Sequence, residues 1–398
     1  TLFTASTAST HHELKVLGSI GTTNLHIGSD NRLADYTFPK RHRLLPDDGA
    51  LDDQFGYSVS VSGNYAVVSA ALDDDPSNSG SAYIFDVTTG QQLHKLTAND
   101  AASGDQFGSS VSIDGNHVIV GAWYSNASET NSGSAYIFNV QTGTQLHKLV
   151  ASDDEASAHL GYSVAISGNY AIAGAPYDGT NIGGAYIFNV QTGAQLHKLT
   201  GSDVVSDDHF AWSVAIDGNY AIVGARYDDF PLGSNTGSAY IFNVKTGQEL
   251  HKLSAGDGRG SDWFGHFVAI SGNYAIVGAS GDDDDGSNSG SAYIFNAKTG
   301  KRMHKITANN AEENDCFGRG GVAISGNYAV VGGDSANSIT GSNNGAAYVF
   351  DVRSGVQLYK LSSEELGTDT GRRFGYSVAI DNNTIPAIVL RHLCQVVA

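Results

Sequence analysis

Along most of the chain, apolar and polar residues alternate in short runs that suit strands, with nothing of helical period. The runs YAVVSA (65–70), SAYIFD (81–86) and QLHKL (92–96) are divided by Gly, Asn, Asp, Ser and Thr, and close variants return along the sequence. The tetrad LHKL stands at 93–96, 146–149, 196–199 and 250–253, then as MHKI at 303–306 and LYKL at 358–361. A second signature, F-G-x-S-V or a near relative, begins at Phe55, Phe107, Leu160, Phe210, Phe264, Phe317 and Phe374. A period near fifty residues implies a repeated supersecondary unit in place of independent domains.

Each unit predicts four strands. Strand A is FGxSVAI and turns at S/D-G-N, where Gly and Asn accept the positive φ of a tight hairpin. Strand B is YAIVGA, followed by a longer loop of Asp, Ser, Asn and Gly. Strand C is SAYIFNV, turned at xTG, and strand D is QLHKL. Short turns at one end and long loops at the other fit an antiparallel blade. The expected fold is therefore all-β: a seven-bladed β-propeller of four-stranded antiparallel blades, spanning 33–398, with 1–32 a tail outside the repeats. Six units are complete. The seventh is expected to be split, with Phe374 to Ile380 as strand A, Ala387 to Leu390 as strand B, and residues near Leu33 to Leu44 as C and D. N-terminal strands would then pair with C-terminal ones and leave no exposed sheet edge.

These motifs resemble the FG-GAP repeat family, which includes the seven-bladed propeller of integrin α subunits and many secreted bacterial and algal proteins. FG is at Phe55-Gly56 and its equivalents; GAP survives at Gly174-Ala175-Pro176 and as Gly-Ala at Gly121, Gly224 and Gly278. The resemblance implies adhesion or ligand recognition outside the cell. Integrin-like repeats carry a DxDxDG calcium loop between strands A and B. Here that position is only the tight S/D-G-N turn, so that site does not carry over.

Composition narrows the partners. The 398 residues carry a formal charge of −19, which opposes nucleic acid and insertion at anionic lipid. The first ten residues, TLFTASTAST, lack an initiating Met, which suggests a processed or truncated chain, and the expected setting is extracellular or at the cell surface. Cys316 and Cys394 fall on loops of adjacent blades, where a disulfide would suit that compartment. Asn126 and Asn382 begin N-x-S/T sequons and are candidate glycosylation sites.

Acidic loops crowd oxygen ligands of the kind Ca²⁺ prefers: Asp73, Asp74 and Asp75, then Asp228 and Asp229, then Asp282, Asp283, Asp284 and Asp285. Trp123, Tyr124, Tyr177, Tyr227, Phe230 and Trp263 lie in loops on the same face, suited to stacking on sugars or anchoring a protein. The repeated histidines, His42, His94, His147, His197, His251 and His304, sit too far apart across blades to share a metal and are expected to pack the outer strand. No nucleophile elbow, zincin helix or phosphate loop is present. The expected function is a secreted, non-catalytic propeller for adhesion or recognition, or a subunit of a surface assembly held through its N-terminal tail. A lectin-like glycan binder and a polysaccharide-active enzyme remain open beside it.

Overall fold

The computed structural model describes residues 2–8, 11–17, 41–50, 52–73, 78–127, 129–229, 233–336, 345–362, 374–381 and 387–390. Six four-stranded antiparallel sheets follow one another along the chain. In the first, strands A to D are Phe55–Ser62, Tyr65–Ala70, Ser81–Asp86 and Gln92–Leu96. Blades 2 to 6 repeat this order, opening at Ser110, Ser163, Phe210, Phe264 and Val322 and closing at Leu149, Leu199, Leu253, Ile306 and Ser362. No helix among the described residues is long and apolar enough to cross a membrane.

Strand C explains why blades stack. In SAYIFN the first five residues are buried on both faces, as a strand between two neighbouring sheets must be. Ala82 and Ile84 of blade 1 point one way and share a cluster with Tyr136 and Phe138 of blade 2. The same pairing joins Ala135 and Ile137 to Tyr186 and Phe188. Against each strand C lies the motif phenylalanine: Phe107 meets Phe138 edge-on, with centroids 5.7 Å apart.

The strand edges are satisfied between blades. Strand A of each blade has no backbone partner on its inner side, and side chains of the previous strand A fill that role. Val111, Val164, Val214 and Val268 donate backbone N–H groups to Ser58, Ser110, Ser163 and Ser213, at 3.0–3.1 Å. At the outer edge the histidines act as struts. The Nε2–H groups of His94, His147, His197, His251 and His304 donate to carbonyls in the C–D turn of the next blade, at 2.9–3.1 Å. Each facing group is a carbonyl, which can only accept, so Nε2 carries the proton. These bonds fit the expected packing role of the five at the outer strand; of the His42 side chain nothing is described.

The terminal strands correct the expected closure. Among the described residues six blades are complete, not seven, and no backbone ladder joins N-terminal to C-terminal strands. Phe374–Ala379 and Ala387–Leu390 pair only with each other, matching the expected A and B strands. Arg41–Leu44 is a strand as expected for D, but its partner is His11–Leu17, which in turn pairs with Leu2–Ala8. The expected strand C near Leu33 lies outside the described residues. The physical reason is visible in the register: Lys15 faces Arg43 where the other blades set Tyr opposite Lys, so a hairpin without the motif occupies the strand's side.

Packing nevertheless carries the C-terminal pair into the ring. One cluster runs from Ala347 and Val349 of blade 6 through Phe374 and Val378 to Phe55, Val59 and Phe85 of blade 1. Gly345 bridges to Phe374 as Gly133, Gly237 and Gly290 bridge to the next blade's motif residue. Asp381 accepts the Gly63 N–H at 2.7 Å, as Asp114 and Asp217 accept those of Gly168 and Gly272.

The strut can be tested at two glycines with positive φ. Gly193 (φ 70°) has the His147 ring 2.9 Å from where a Cβ would sit, whereas Gly168 (φ 55°) faces open space. Alanine costs about 1–2 kcal/mol at either for the left-handed backbone. Gly193→Ala must also displace the ring and its hydrogen bond, costing about 1 kcal/mol more. Denaturant unfolding of the two variants decides it; equal losses would mean that the strut stabilises nothing.

Candidate functional site

The long loops of all blades meet on one face. Loop B–C of blades 1 to 5 is tied to loop D–A of the next blade by backbone bonds, such as Phe107 N–H to Ser79 O at 2.7 Å. Two sets of side chains organise this face, one at its rim and one at its centre.

The rim carries the acidic residues. In strand C the tyrosine faces the strand-D lysine in register, Tyr83 opposite Lys95 and Tyr186 opposite Lys198. In blade 3 the Tyr186 hydroxyl donates to Asp178 at 2.7 Å, and the Lys198 ammonium lies 2.7 Å from Asp178 and 2.6 Å from Asp153. Blade 1 repeats this with Asp73 and Asp48, blade 4 with Asp228 and Asp203, blade 5 with Asp282 and Asp257. Burial alone would lower the Lys198 pKa, but its hydrogen bonds to Asp153 and Asp178 and their charge hold it above the usual value. Burial and the bonded carboxylates push the tyrosines well above their ordinary range. Blade 2 has Ser125 and blade 6 has Ala336 at the buried aspartate position.

The residues expected to bind calcium thus divide. Asp73, Asp228 and Asp282 already face a tyrosine hydroxyl and a lysine. Asp229 and Asp283 accept backbone N–H groups of Asn235 and Asn288, both at 2.7 Å, Asp284 joins Lys305, and Asp285 is exposed. Asp74 and Asp75 lie outside the described residues. Among the described residues, no three His, Cys, Asp or Glu side chains gather to hold a metal.

The centre was not foreseen. The residue after each F-G points at the axis, so that Tyr57, Ser109, Tyr162, Trp212, His266, Arg319 and Tyr376 line one cavity of 440 Å³. Trp123, the first residue of its loop B–C, joins them. Rings touch along the arc: Trp123–Tyr162 at 5.0 Å, Tyr162–Trp212 at 4.5 Å, Trp212–His266 at 6.4 Å. An outer arc runs Tyr124–His159–Tyr177–His209–Tyr227, each neighbour 4.8–5.1 Å away and edge-on. Of the expected contact residues, Trp123, Tyr124, Tyr177 and Tyr227 come together here, Trp263 joins through His266 at 6.3 Å, and Phe230 lies outside the described residues. Sequence reasoning missed the central ring because it followed what the repeats share. The missed signal is the one motif position that changes in nearly every unit.

Electrostatics at the centre depend on Arg226. Its guanidinium lies 3.3 Å from the Trp212 ring centre and 4.4 Å from that of Tyr227, and donates to the Tyr227 hydroxyl at 2.7 Å. It also donates to His266 Nε2 at 3.1 Å, so His266 carries its proton on Nδ1 and donates to Ser280 Oγ at 2.8 Å. Burial, then Arg226 and Arg319, lower the His266 pKa to about 3. Burial likewise lowers His159 and His209, so the arc is uncharged at neutral pH. Arg319 is paired with Asp334 at 2.9 Å. Beside Trp212, Ala211 replaces the motif glycine and keeps its positive φ of 70°, a strained backbone at the site.

A model of the FG-GAP repeat matches residues 38–85, 91–138, 144–188, 194–242, 248–295 and 301–350. The chain belongs to the FG-GAP repeat family. No curated protein matches the sequence. Each FG-GAP match runs from a strand D through A and B to C, so the family's unit spans two adjacent blades and includes the loops that build the mouth. Cys316 is buried in one such loop, and Cys394 lies outside the described residues. Asn126 is exposed, its side chain accepting the Asn131 N–H, whereas Asn382 lies outside them.

Two outcomes follow from the rim. Lys198→Met leaves Asp178, 2% exposed, without its cation and is expected to cost about 2–4 kcal/mol. Lys148→Met, whose blade has Ser125 in that place, should cost about 1 kcal/mol or less; equal losses in urea unfolding would refute the difference. Asp208 is raised from 3.8 to about 6, first by burial and then by Asp228 and Asp229. A carboxyl raised on folding stabilises below its unfolded pKa, and that contribution is lost as pH climbs through 6. Melting curves should therefore show Asp208→Asn gaining on the wild type between pH 4 and pH 7, and a constant gap would contradict this.

Proposed function

We propose that this protein is an extracellular, non-catalytic recognition propeller whose ligand binds at the loop-face mouth of the central channel. One observation carries the reading: seven occurrences of one motif carry five different residue types after F-G, and those residues converge on one lined cavity. Such variation on a rigid frame is how loop faces acquire specificity. The cavity's 440 Å³ falls at the lower end of small-ligand sites, which run from about 300 to 1,000 Å³. A composite centre also favours one site over equal pockets in every blade, because the units differ there. FG-GAP membership supports adhesion or recognition and an extracellular setting, without naming a ligand. We further propose that the C-terminal pair and the N-terminal strands together fill a seventh position in the ring, supported by the cluster that links blades 6 and 1 through Phe374.

All three tryptophans of the chain, Trp123, Trp212 and Trp263, lie at or beside this mouth, so intrinsic fluorescence reports on it directly. Binders selected from glycan and peptide libraries are expected to shift the tryptophan emission and to lose at least roughly tenfold in affinity for a Trp212→Ala variant. Binders that leave emission unchanged and tolerate that variant would place the ligand elsewhere.

A further inference from the structure

We infer that the ligand of this mouth is a short acidic saccharide whose carboxylate pairs with Arg226 and whose ring lies on the aromatic arc. The inference rests on the recognition site proposed above and names its ligand class. The cation is the starting point. The strand-D lysines of blades 1 to 5 and Arg319 each hold an aspartate, whereas no carboxylate pairs with Arg226 among the described residues. Its Nε–H is buried and has no acceptor. A half-buried cation without a counter-ion is costly, and an anion brought to it would offset that cost.

The surroundings select the partner. Against Trp212 and Tyr227, with one Nη donating to Tyr227 and the other to His266, the guanidinium is fixed in place, and each Nη keeps a second N–H, a pair of donors that suits a carboxylate. The neighbouring imidazole of His266 is neutral, so one carboxylate balances one charge. Around this point the rings of Trp123, Tyr162, Tyr177 and Trp212 give an uncharged aromatic surface, which suits the apolar C–H face of a pyranose. Tyrosine hydroxyls at its edge can serve sugar hydroxyls. Size and charge limit the length. The cavity holds a ring or two, and a chain of net charge −19 repels a long polyanion while a single carboxylate is held locally.

The test uses the full chain and matched methyl glycosides: glucuronate, galacturonate and mannuronate against glucose, galactose and mannose. Tryptophan emission and calorimetry measure both series for the wild type, Arg226→Gln and Arg226→Lys. At least one uronate should bind roughly tenfold or more tighter than its neutral counterpart, the scale of a charge-assisted hydrogen bond. Arg226→Gln should erase that preference while still binding the neutral sugar, and Arg226→Lys should restore part of it. Far-ultraviolet dichroism and melting confirm that each variant is folded. Equal affinity within every pair, or a preference that survives Arg226→Gln, would overturn the acidic-ligand inference and leave the aromatic site standing. No emission change with any glycoside would overturn it too. If peptide binders also left emission unchanged, the recognition site itself would fall.

Discussion

A four-stranded blade has two apolar faces and can bury neither alone. That constraint governs the molecule. Strand C is apolar on both sides, with Ala and Ile toward one neighbour and Tyr and Phe toward the other, so each blade completes the core of the next. Small side chains on one face accept large ones from the next, which is what close packing across a sheet interface requires. The remaining polar demands fall at the two edges. Serines answer the unpaired amides along the axis, and histidines anchor the outer strand to the following turn. A chain built this way must either curl back on itself or leave an apolar face open. Phe374–Ala379 lies where that last face would otherwise meet water, packed between blade 6 and blade 1.

Given that frame, the tyrosine–aspartate–lysine clusters do more than neutralise charge. They tie loop B–C of one blade to loop D–A preceding it, because Lys198 spans Asp178 and Asp153. The loops that surround the mouth are therefore held from beneath by ion pairs whose inner carboxylates are buried. Such a cluster is stiff: Asp178 has nowhere to go once its lysine and tyrosine are in place. Rigidity at the rim lets side chains at the centre vary without disturbing the frame.

The strand pattern was legible almost to the residue. Motif spacing alone places the A and B strands of the C-terminal unit at Phe374 and Ala387, since tight turns and period-two alternation are local properties. The N-terminal hairpin was not legible. Leu2–Ala8 and His11–Leu17 carry none of the repeat's residues, and nothing local marks them as partners of Arg41–Leu44. The partners of the acidic loops were not legible for a different reason. Counting aspartates in a loop ignores the lysine that arrives from strand D, although its position opposite the strand-C tyrosine could be deduced from the hairpin register. Cross-strand neighbours, not sequence neighbours, set which side chains those carboxylates meet.

The mouth shows why a repeat protein hides its site from pattern reading. Most positions of the unit are fixed by contacts with the next blade. At Gly161 a Cβ would sit 2.3 Å from the Ser134 carbonyl, and each strand-C residue faces a neighbour's core. The residue after the motif glycine points to the axis, clear of the blade-to-blade core, and is Tyr, Ser, Trp, His or Arg in different units. Blade 4 departs furthest: Ala211 keeps the glycine's backbone at φ 70°, Trp212 turns inward, and Arg226 stacks on it without an acidic partner among the described residues. A strained alanine and an uncompensated arginine both lower stability, and both occur where the wall meets the largest rings. Folding alone would favour glycine and a neutral side chain there. Two departures from the repeat that cost stability, set side by side at the one place open to change, are the mark of a surface shaped for something other than its own fold.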